Sequence, residues 1–477
     1  MEEPNISQLP DDLILKIFSF LPLYEESVAT RLLTNEDPWK LELLPVVVLY
    51  LVLGRNYPAS DINFWVKLAV KRSVRKLRIT MIKVVPSCFR LPSLKSLHLF
   101  WFKFSDNESV ASLLQSCPDL EYLVVKDVMF KTLPPWFLMS SLKSLVVKDV
   151  MFKTLPPWFL MSSLKILHLV SSSFSDDQSV ASLLQKCPVL EDLVVKKTQV
   201  FDSNKCTLSS CTTLKTLTLS KLSIKVALPW SRLPLLKTLH LISVKFSSDE
   251  SIASFLPICP VLECLVVDRS KADNAMFKDV PHWFCLPSLK SLHLLSVKFS
   301  MDESVAKLIQ RCPVLEDLVM NNTTDDNVMI FNINSPSLRS LSIVNSKGKR
   351  AYVKENHGFV INAPSLEKMN FKDTFSNFLV FEHMPEVIEA NIQAICAQSN
   401  TFVGSLTSIR YLSLCSLSSE TPYPSGTTFP FLGYLELCTC SAGWANLLVC
   451  ILKDAPTLNY LKLKSQHGAY YKDPMLL

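Results

Sequence analysis

The chain has 477 residues, 48% apolar and 19% charged, which is too long for one compact core and apolar enough to fold throughout. Its 8 glycines argue against phosphate-cradling loops and dinucleotide folds, which need glycine where backbone approaches a ligand. A formal net charge of +6 on 53.9 kDa is too mild to point to nucleic acid. Met1 to Leu9 have neither a basic region nor an apolar run, so no signal peptide is expected. In a leaderless chain the 14 cysteines read as reduced thiols, in the cytoplasm or nucleus and not secreted. They include no C-x-x-C pair, so no metal site is expected, and no cofactor.

Residues 5–40 form a distinct helical segment. Asp11 or Asp12 caps a helix whose apolar residues Leu13, Ile14, Ile17, Phe18 and Leu21 share one face, and Pro22 stops it. A second helical stretch runs from Glu25 to Leu33. About forty residues are too few for an independent core, so the apolar face must dock on a partner or on the rest of the chain. Residues 41–60 read as a linker, and their apolar run, Leu43 to Leu53, is a buried strand or a packed connection. A bilayer span needs about 20 residues, so no membrane partner is expected.

From 61 to 468 one motif dominates, apolar-x-x-apolar-x-apolar. Val74-x-x-Leu77-x-Ile79 is the first copy and Leu94-x-x-Leu97-x-Leu99 the second. Further copies begin at Leu120, Leu142, Leu164, Leu190, Leu214, Leu236, Leu262, Leu289, Leu315, Leu338, Leu366, Val387, Ile409, Leu432 and Leu458. These 17 copies are spaced by 20 to 28 residues, within the leucine-rich-repeat period of about 20–29. The last three motif positions have period 2, so two apolar side chains share one strand face and bury, and the residue between them faces the other way. One coil cannot cover its own leucines, but stacked coils pair their strands in parallel and bury a continuous core. The expected fold is therefore α/β: a solenoid of about 17 irregular coils with a parallel sheet and outer helices and loops, preceded by the short helical segment and followed by a tail at 469–477.

Four copies carry Leu-His-Leu and are each 26 residues from the next. Each precedes a capping box (Ser105-x-x-Glu108, Ser175-x-x-Gln178, Ser247-x-x-Glu250, Ser300-x-x-Glu303) and a helix stop at Cys117-Pro118, Cys187-Pro188, Cys259-Pro260 or Cys312-Pro313. The asparagine that often follows the strand in such repeats is mostly absent, so no regular asparagine ladder is expected. Leu123 to Lys143 recurs unchanged as Leu145 to Lys165, an offset of 22 residues, or one coil.

His98, His168, His240 and His293 sit between buried leucines and therefore face outward, on coils too far apart to share a metal ion. Lys126, Lys148 and Lys196 end their strands on the same face, and Lys67, Lys71, Arg72, Arg75, Lys76 and Arg78 cluster at the first coil, suited to an acidic partner. These seven histidines and strand-end lysines are the target-binding candidates. No nucleic-acid partner is expected, because the basic stripe lacks interleaved aromatics. No catalytic triad, carboxylate pair or His-Glu-x-x-His is present, so the chain is read as a recognition protein and not an enzyme.

The run Leu9-Pro10-Asp11-Asp12-Leu13, then Ile17-Phe18-Ser19-Phe20-Leu21-Pro22 and Val28-Ala29-Thr30, resembles the start of a plant F-box. The repeats, with Asp61-Ile62, Trp65-Val66 and Ala69-Val70 before them and Leu435-Glu436-Leu437-Cys438 and Leu452-Lys453-Asp454-Ala455-Pro456 near their end, resemble the plant F-box/FBD/LRR family. The resemblance implies a substrate receptor of an SCF-type ubiquitin ligase. Leu9, Pro10, Ile14, Ile17, Phe18, Leu21 and Pro22 would contact a Skp-type adaptor that links to the cullin ligase, and the repeats would bind an unknown target protein. Two departures stand out. Thr34-Asn35-Glu36-Asp37-Pro38-Trp39 is shorter and more acidic than the family's third helix, and the chain ends about where an FBD module would begin, so that module is expected to be absent. The alternative is a repeat scaffold without ligase function, or a degenerate member with impaired adaptor binding.

Overall fold

The computed structural model describes residues 48–52, 67, 69–71, 73–80, 91–100, 115–127, 129–130, 140–152, 161–174, 183–198, 211–224, 233–246, 256, 259–268, 285–299, 301–323, 328–347, 357–373, 376, 378–394, 405–416, 426–440 and 443–465. The N-terminal helical segment, the tail and three of the four expected capping boxes lie outside them. The chain divides into two compact units, Met1–Val200 and Phe201–Leu477.

In the first unit seven strands pair in parallel, each with the next in the chain: β1 (Val48–Val52), β2 (Lys76–Thr80), β3 (Ser96–Phe100), β4 (Tyr122–Lys126), β5 (Ser144–Lys148), β6 (Ile166–Val170) and β7 (Asp192–Lys196). The second and fourth residue of each strand are buried, as the alternation requires, and the leading motif leucines Leu94, Leu120, Leu142, Leu164 and Leu190 are fully buried. Burying each such leucine stabilises by about 1.5–3 kcal/mol. β1 lies inside the span read as a linker, so the array starts one coil earlier than the motif count. Its signal was present: Val46-x-x-Leu49-x-Leu51 fits the motif but is hidden in a continuous apolar run. The duplicated segment forms neighbouring coils, with β4 and β5 in exact register from Tyr122↔Ser144 to Lys126↔Lys148.

The second unit carries an eleven-strand parallel array. It comprises β8 (Thr216–Ser220), β9 (Thr238–Ile242), β10 (Cys264–Asp268), β11 (Ser291–Leu295), β12 (Asp317–Thr323), β14 (Ser340–Lys347), β16 (Lys368–Asp373), β18 (Glu389–Ala394), β19 (Tyr411–Ser416), β20 (Tyr434–Cys438) and β21 (Tyr460–Lys464). Each of the 17 motif copies thus carries a strand.

The outer layer differs from the expectation of helices and loops over part of this unit. β13 (Ile330–Asn334), β15 (Gly358–Asn362) and β17 (Phe378–Phe381) form a second parallel sheet there. Phe331, Ile333, Phe359 and Ile361 alternate inward on it, giving these coils two apolar strand faces instead of a strand and a helix. Helices remain at α1 (Asp302–Gln310) and α2 (Trp444–Asp454). Ser300, the first residue of the fourth expected capping box, also lies outside the described residues. Met301 is the N-cap and makes no side-chain capping bond, while the Asp302 carboxylate accepts the Met329 N–H at 2.6 Å from the next coil.

Backbone geometry explains how the coils turn without an asparagine ladder. The residue after the strand adopts φ between 50° and 55° at Asp127, Asp149, Ser171, Lys197, Lys221, Ser243 and Ser296. That left-handed step is costly for a side-chain-bearing residue, but it aims the N–H at the next coil: Asp127 donates to Lys148 O, Ser171 to Lys196 O and Ser243 to Asp268 O. On the other side of each strand, the Cys-Pro turns close by Leu120, Leu190, Leu262 and Leu315 N–H bonds to the cysteine carbonyls. The thiols are structural: Cys187 and Cys312 donate to carbonyls four residues back, and burial pushes Cys117, Cys259 and Cys312 up to about 12.

Gly358 is required by close approach. A Cβ there would lie 2.5 Å from the Phe378 carbonyl oxygen and 2.7 Å from its ring carbons. Gly358→Ala is expected to cost about 1–3 kcal/mol through forced separation of β15 and β17, read as a lower urea midpoint. An unchanged midpoint would show that the two strands part freely.

Candidate protein-binding face

The third residue of each strand is turned out of the core, with many first and fifth residues beside it, so the sheet presents rows of side chains one coil apart. In the first unit the central row reads Tyr50, Arg78, His98, Val124, Val146, His168 and Val194. His98 and His168 share this row but are separated by β4 and β5. Lys126 and Lys148 are register partners at the strand ends, whereas Val170 separates Lys148 from Lys196. In the second unit His240 and His293 share a row with Val266 between them. Thus two of the seven candidates are direct neighbours and the rest are spaced along the face. Among the described residues no group of three or more His, Cys, Asp or Glu could hold a metal ion. None of their helices is long and apolar enough to cross a membrane.

The histidines have partners that the motif alone did not reveal. His168 Nε2 lies 3.4 Å from Asp192 Oδ2, and His293 Nε2 lies 2.8 Å from Asp317 Oδ2. Each carboxylate opens the next strand of the array. Burial pushes the Asp317 carboxyl up, but hydrogen bonds from His293, Ser340 and Ser291 outweigh it and hold the group below its ordinary value. His240 Nδ1 lies 3.4 Å from Thr218 Oγ1, and His98 Nε2 lies 3.3 Å from Ser96 Oγ. Burial first, then the charges of Arg78 and Lys76, hold His98 below the usual histidine range.

Further features depend on register and were missed. Residues that precede several of the strands form ion pairs from coil to coil: Glu121 binds Lys95 at 3.2 Å and Lys143 at 2.9 Å, and Lys237 binds Glu263 at 2.7 Å. Exposed pairs of this kind contribute about 0–1 kcal/mol each. Asn391 donates to Asn370 and Asn370 to Ser342, an amide ladder across β14, β16 and β18. Tyr411, Tyr434 and Tyr460 stack with centroids 4.1 and 4.5 Å apart. That stack was legible, since each tyrosine stands two residues after a leading motif residue.

Comparison with known proteins follows the same division. The F-box domain profile matches residues 6–33, and the leucine-rich-repeat profile matches 93–118, 163–188 and 235–260, three of the four 26-residue units. A profile described as "FBD-associated F-box protein At5g56370, LRR repeats" matches 271–407. The FBD-associated F-box protein At5g56560 of Arabidopsis thaliana is 38% identical over 510 residues, covering 100% of this chain and 81% of its own length. The chain belongs to the FBD-associated F-box proteins. A second relative of this F-box family, F-box/FBD/LRR-repeat protein At5g56570 of the same plant, is 48% identical over 211 residues, 44% of this chain and 45% of its own. An internalin of Listeria monocytogenes covers 68% of this F-box protein and 95% of its own chain at 15% identity and a TM-score of 0.41. In the F-box protein itself, the repeat fold rests on the parallel strand pairing within each unit, with a register shift between Asn321 and Thr323 where β12 meets β14.

Proposed function

We propose that this F-box protein is the substrate-recognition subunit of an SCF-type ubiquitin ligase. In this reading Leu9, Pro10, Ile14, Ile17, Phe18, Leu21 and Pro22 dock a Skp-type adaptor, and the repeats hold a target protein. The observation that carries it is the F-box match at residues 6–33 in the same chain as the repeat array. An F-box needs a partner for its apolar face, and an open parallel sheet offers rows of side chains to an extended protein surface. The proposed mechanism is proximity: holding the target near the ligase raises its effective concentration, and the F-box protein performs no bond chemistry. Of the candidates, Lys126, which also pairs with Asp127 at 3.6 Å, and Lys148 are register neighbours, and His98, His168, Lys196, His240 and His293 extend the contact along each unit.

A scaffold without ligase function is the second reading, favoured by Glu36-Asp37-Pro38, where the family carries its third helix. Co-purification of the full chain with a Skp-type adaptor separates the two. The wild-type chain is expected to retain the adaptor. Ile17→Asp is expected to weaken binding by about 2 kcal/mol or more, roughly thirtyfold, as for a central apolar anchor. A wild-type chain that fails to retain the adaptor, beside a related F-box protein that does, would leave the scaffold.

A further inference from the structure

The outward face of β1–β3 carries cations and no acid. Its strand residues are Val48 and Tyr50, then Lys76 and Arg78, then His98 and Phe100, with Ser96 buried beside His98. Arg78 is exposed, and its guanidinium carbon lies 4.7 Å from the Phe100 ring centroid and 5.9 Å from that of Tyr50. Aromatic rings on both neighbouring strands therefore steady the planar fork, the group best matched to a carboxylate. Among the described residues no carboxylate pairs with Arg78 or Lys76, in contrast to the ion-paired Lys95 and Lys143 farther along the face.

The protein supplies its own template for what is missing. At β11 and β12, Ser291 Oγ lies 3.2 Å from His293 Nε2, and both reach Asp317 Oδ2, at 3.0 and 2.8 Å. At β3 the same serine–histidine pair recurs as Ser96 and His98, 3.3 Å apart. The position on the next strand that corresponds to Asp317 is Tyr122, which is 46% exposed. Among the described residues the histidine site at β3 thus has its serine but no carboxylate, one register step from Arg78, which has none either.

We infer that the β1–β3 face binds a carboxylate-bearing acidic segment of the target protein, with Arg78 and the Ser96–His98 pair taking its side-chain oxygens and Lys76 flanking them. The inference deepens the receptor reading and rests on its claim that the repeats hold the target. An open face three strands wide suits an extended chain, whose successive acids meet Lys76, Arg78 and His98 in turn. Burial and then the adjacent cations hold His98 below the usual histidine range, which favours the uncharged ring.

Fluorescence polarisation of the full chain with a labelled short peptide rich in Asp and Glu, its Asn/Gln counterpart and a phosphoserine peptide tests this. The acidic peptide is expected to bind and the amide peptide not, with affinity falling as salt screens the contact. Arg78→Glu is expected to weaken binding at least about tenfold. Tyr122→Asp, which supplies the internal carboxylate, is expected to do the same by filling the site. Lys372→Glu, an equal charge change in the second unit, is expected to leave binding as it was. Circular dichroism melts confirm that the variants fold, and Tyr122→Asp keeps the test decisive should Arg78→Glu fail to. Equal binding by Arg78→Glu and Tyr122→Asp overturns the inference, as does equal weakening by Lys372→Glu, or binding of the phosphoserine peptide alone. Adaptor retention, measured on the same preparations, reports on the ligase reading separately: peptide binding without adaptor keeps the acidic-segment site and removes the ligase, and adaptor without peptide does the reverse.

Discussion

Phe359→Ala is expected to destabilise the second unit by about 3–5 kcal/mol, the range for a large buried aromatic cut to a methyl group. Phe359 is fully buried on β15. Its ring stacks on Phe331 at 4.9 Å and 16°, and meets the edge of Phe371 at 5.2 Å and 89°. Phe371 in turn contacts Phe381 at 6.4 Å and 81°. The aromatic chain therefore joins the front strand β16 to all three outer strands, β13, β15 and β17, so alanine leaves a cavity walled by rings fixed in two sheets. Such walls relax little, which places the cost high in the range. Offset and edge-to-face pairs add about 0.5–1.5 kcal/mol beyond area. Urea unfolding followed by far-ultraviolet circular dichroism measures the loss. Phe359→Leu, which keeps most of the volume, is expected to lose less than half as much. Equal losses for the two variants would mean that ring geometry, not filled volume, sets the stability.

The coils were legible because a strand that buries one face must alternate. Leu97 and Leu99 announce β3 whatever surrounds them. The sequence leaves β1 open between a buried strand and a packed connection because every residue around Leu49 and Leu51 is also apolar, which erases the alternation. α1 was legible from Val305, Leu308 and Ile309 at helical spacing, but the bond from the Met329 N–H to the Asp302 carboxylate was not, because it joins two coils. α2 ends at Ala455-Pro456, in the place of the Cys-Pro stops, and its signal was obscured by the change of one residue. The outer sheet was hidden because a short strand pays its way only against a second sheet that the pattern of Phe331 and Ile333 does not locate. On the candidate face, the outward direction of His168 and His293 follows from alternation. Their carboxylates do not, since Asp192 and Asp317 become neighbours only when parallel strands pair in one particular register.

That dependence on register is sharpest at Asp373, where Asp373→Ala is expected to cost about 2–4 kcal/mol, from stranded buried donors as well as the lost bonds. Asp373 is 1% exposed. Its Oδ1 accepts the Asn345 amide at 3.0 Å and its Oδ2 the Ser376 backbone N–H at 3.1 Å. Ser376 Oγ continues to His357 Nδ1 at 3.0 Å, which ties β16 to the start of β15. Asn345 and Asp373 are register partners on β14 and β16. A slip of one residue would turn both from the core to the solvent face, so the pair penalises every register but the native one. Stability and specificity can therefore be separated. Asn345→Leu with Asp373→Leu removes donor and acceptor together, and is expected to recover at least half of the loss seen for Asp373→Ala, as apolar replacements of buried polar pairs do. Hydrogen exchange in β14 and β16 is expected to rise in the double variant despite the recovered midpoint, because apolar side chains do not define a register. Unchanged exchange there, with the midpoint restored, would reduce the pair to a stability contact and remove its role in fixing the register.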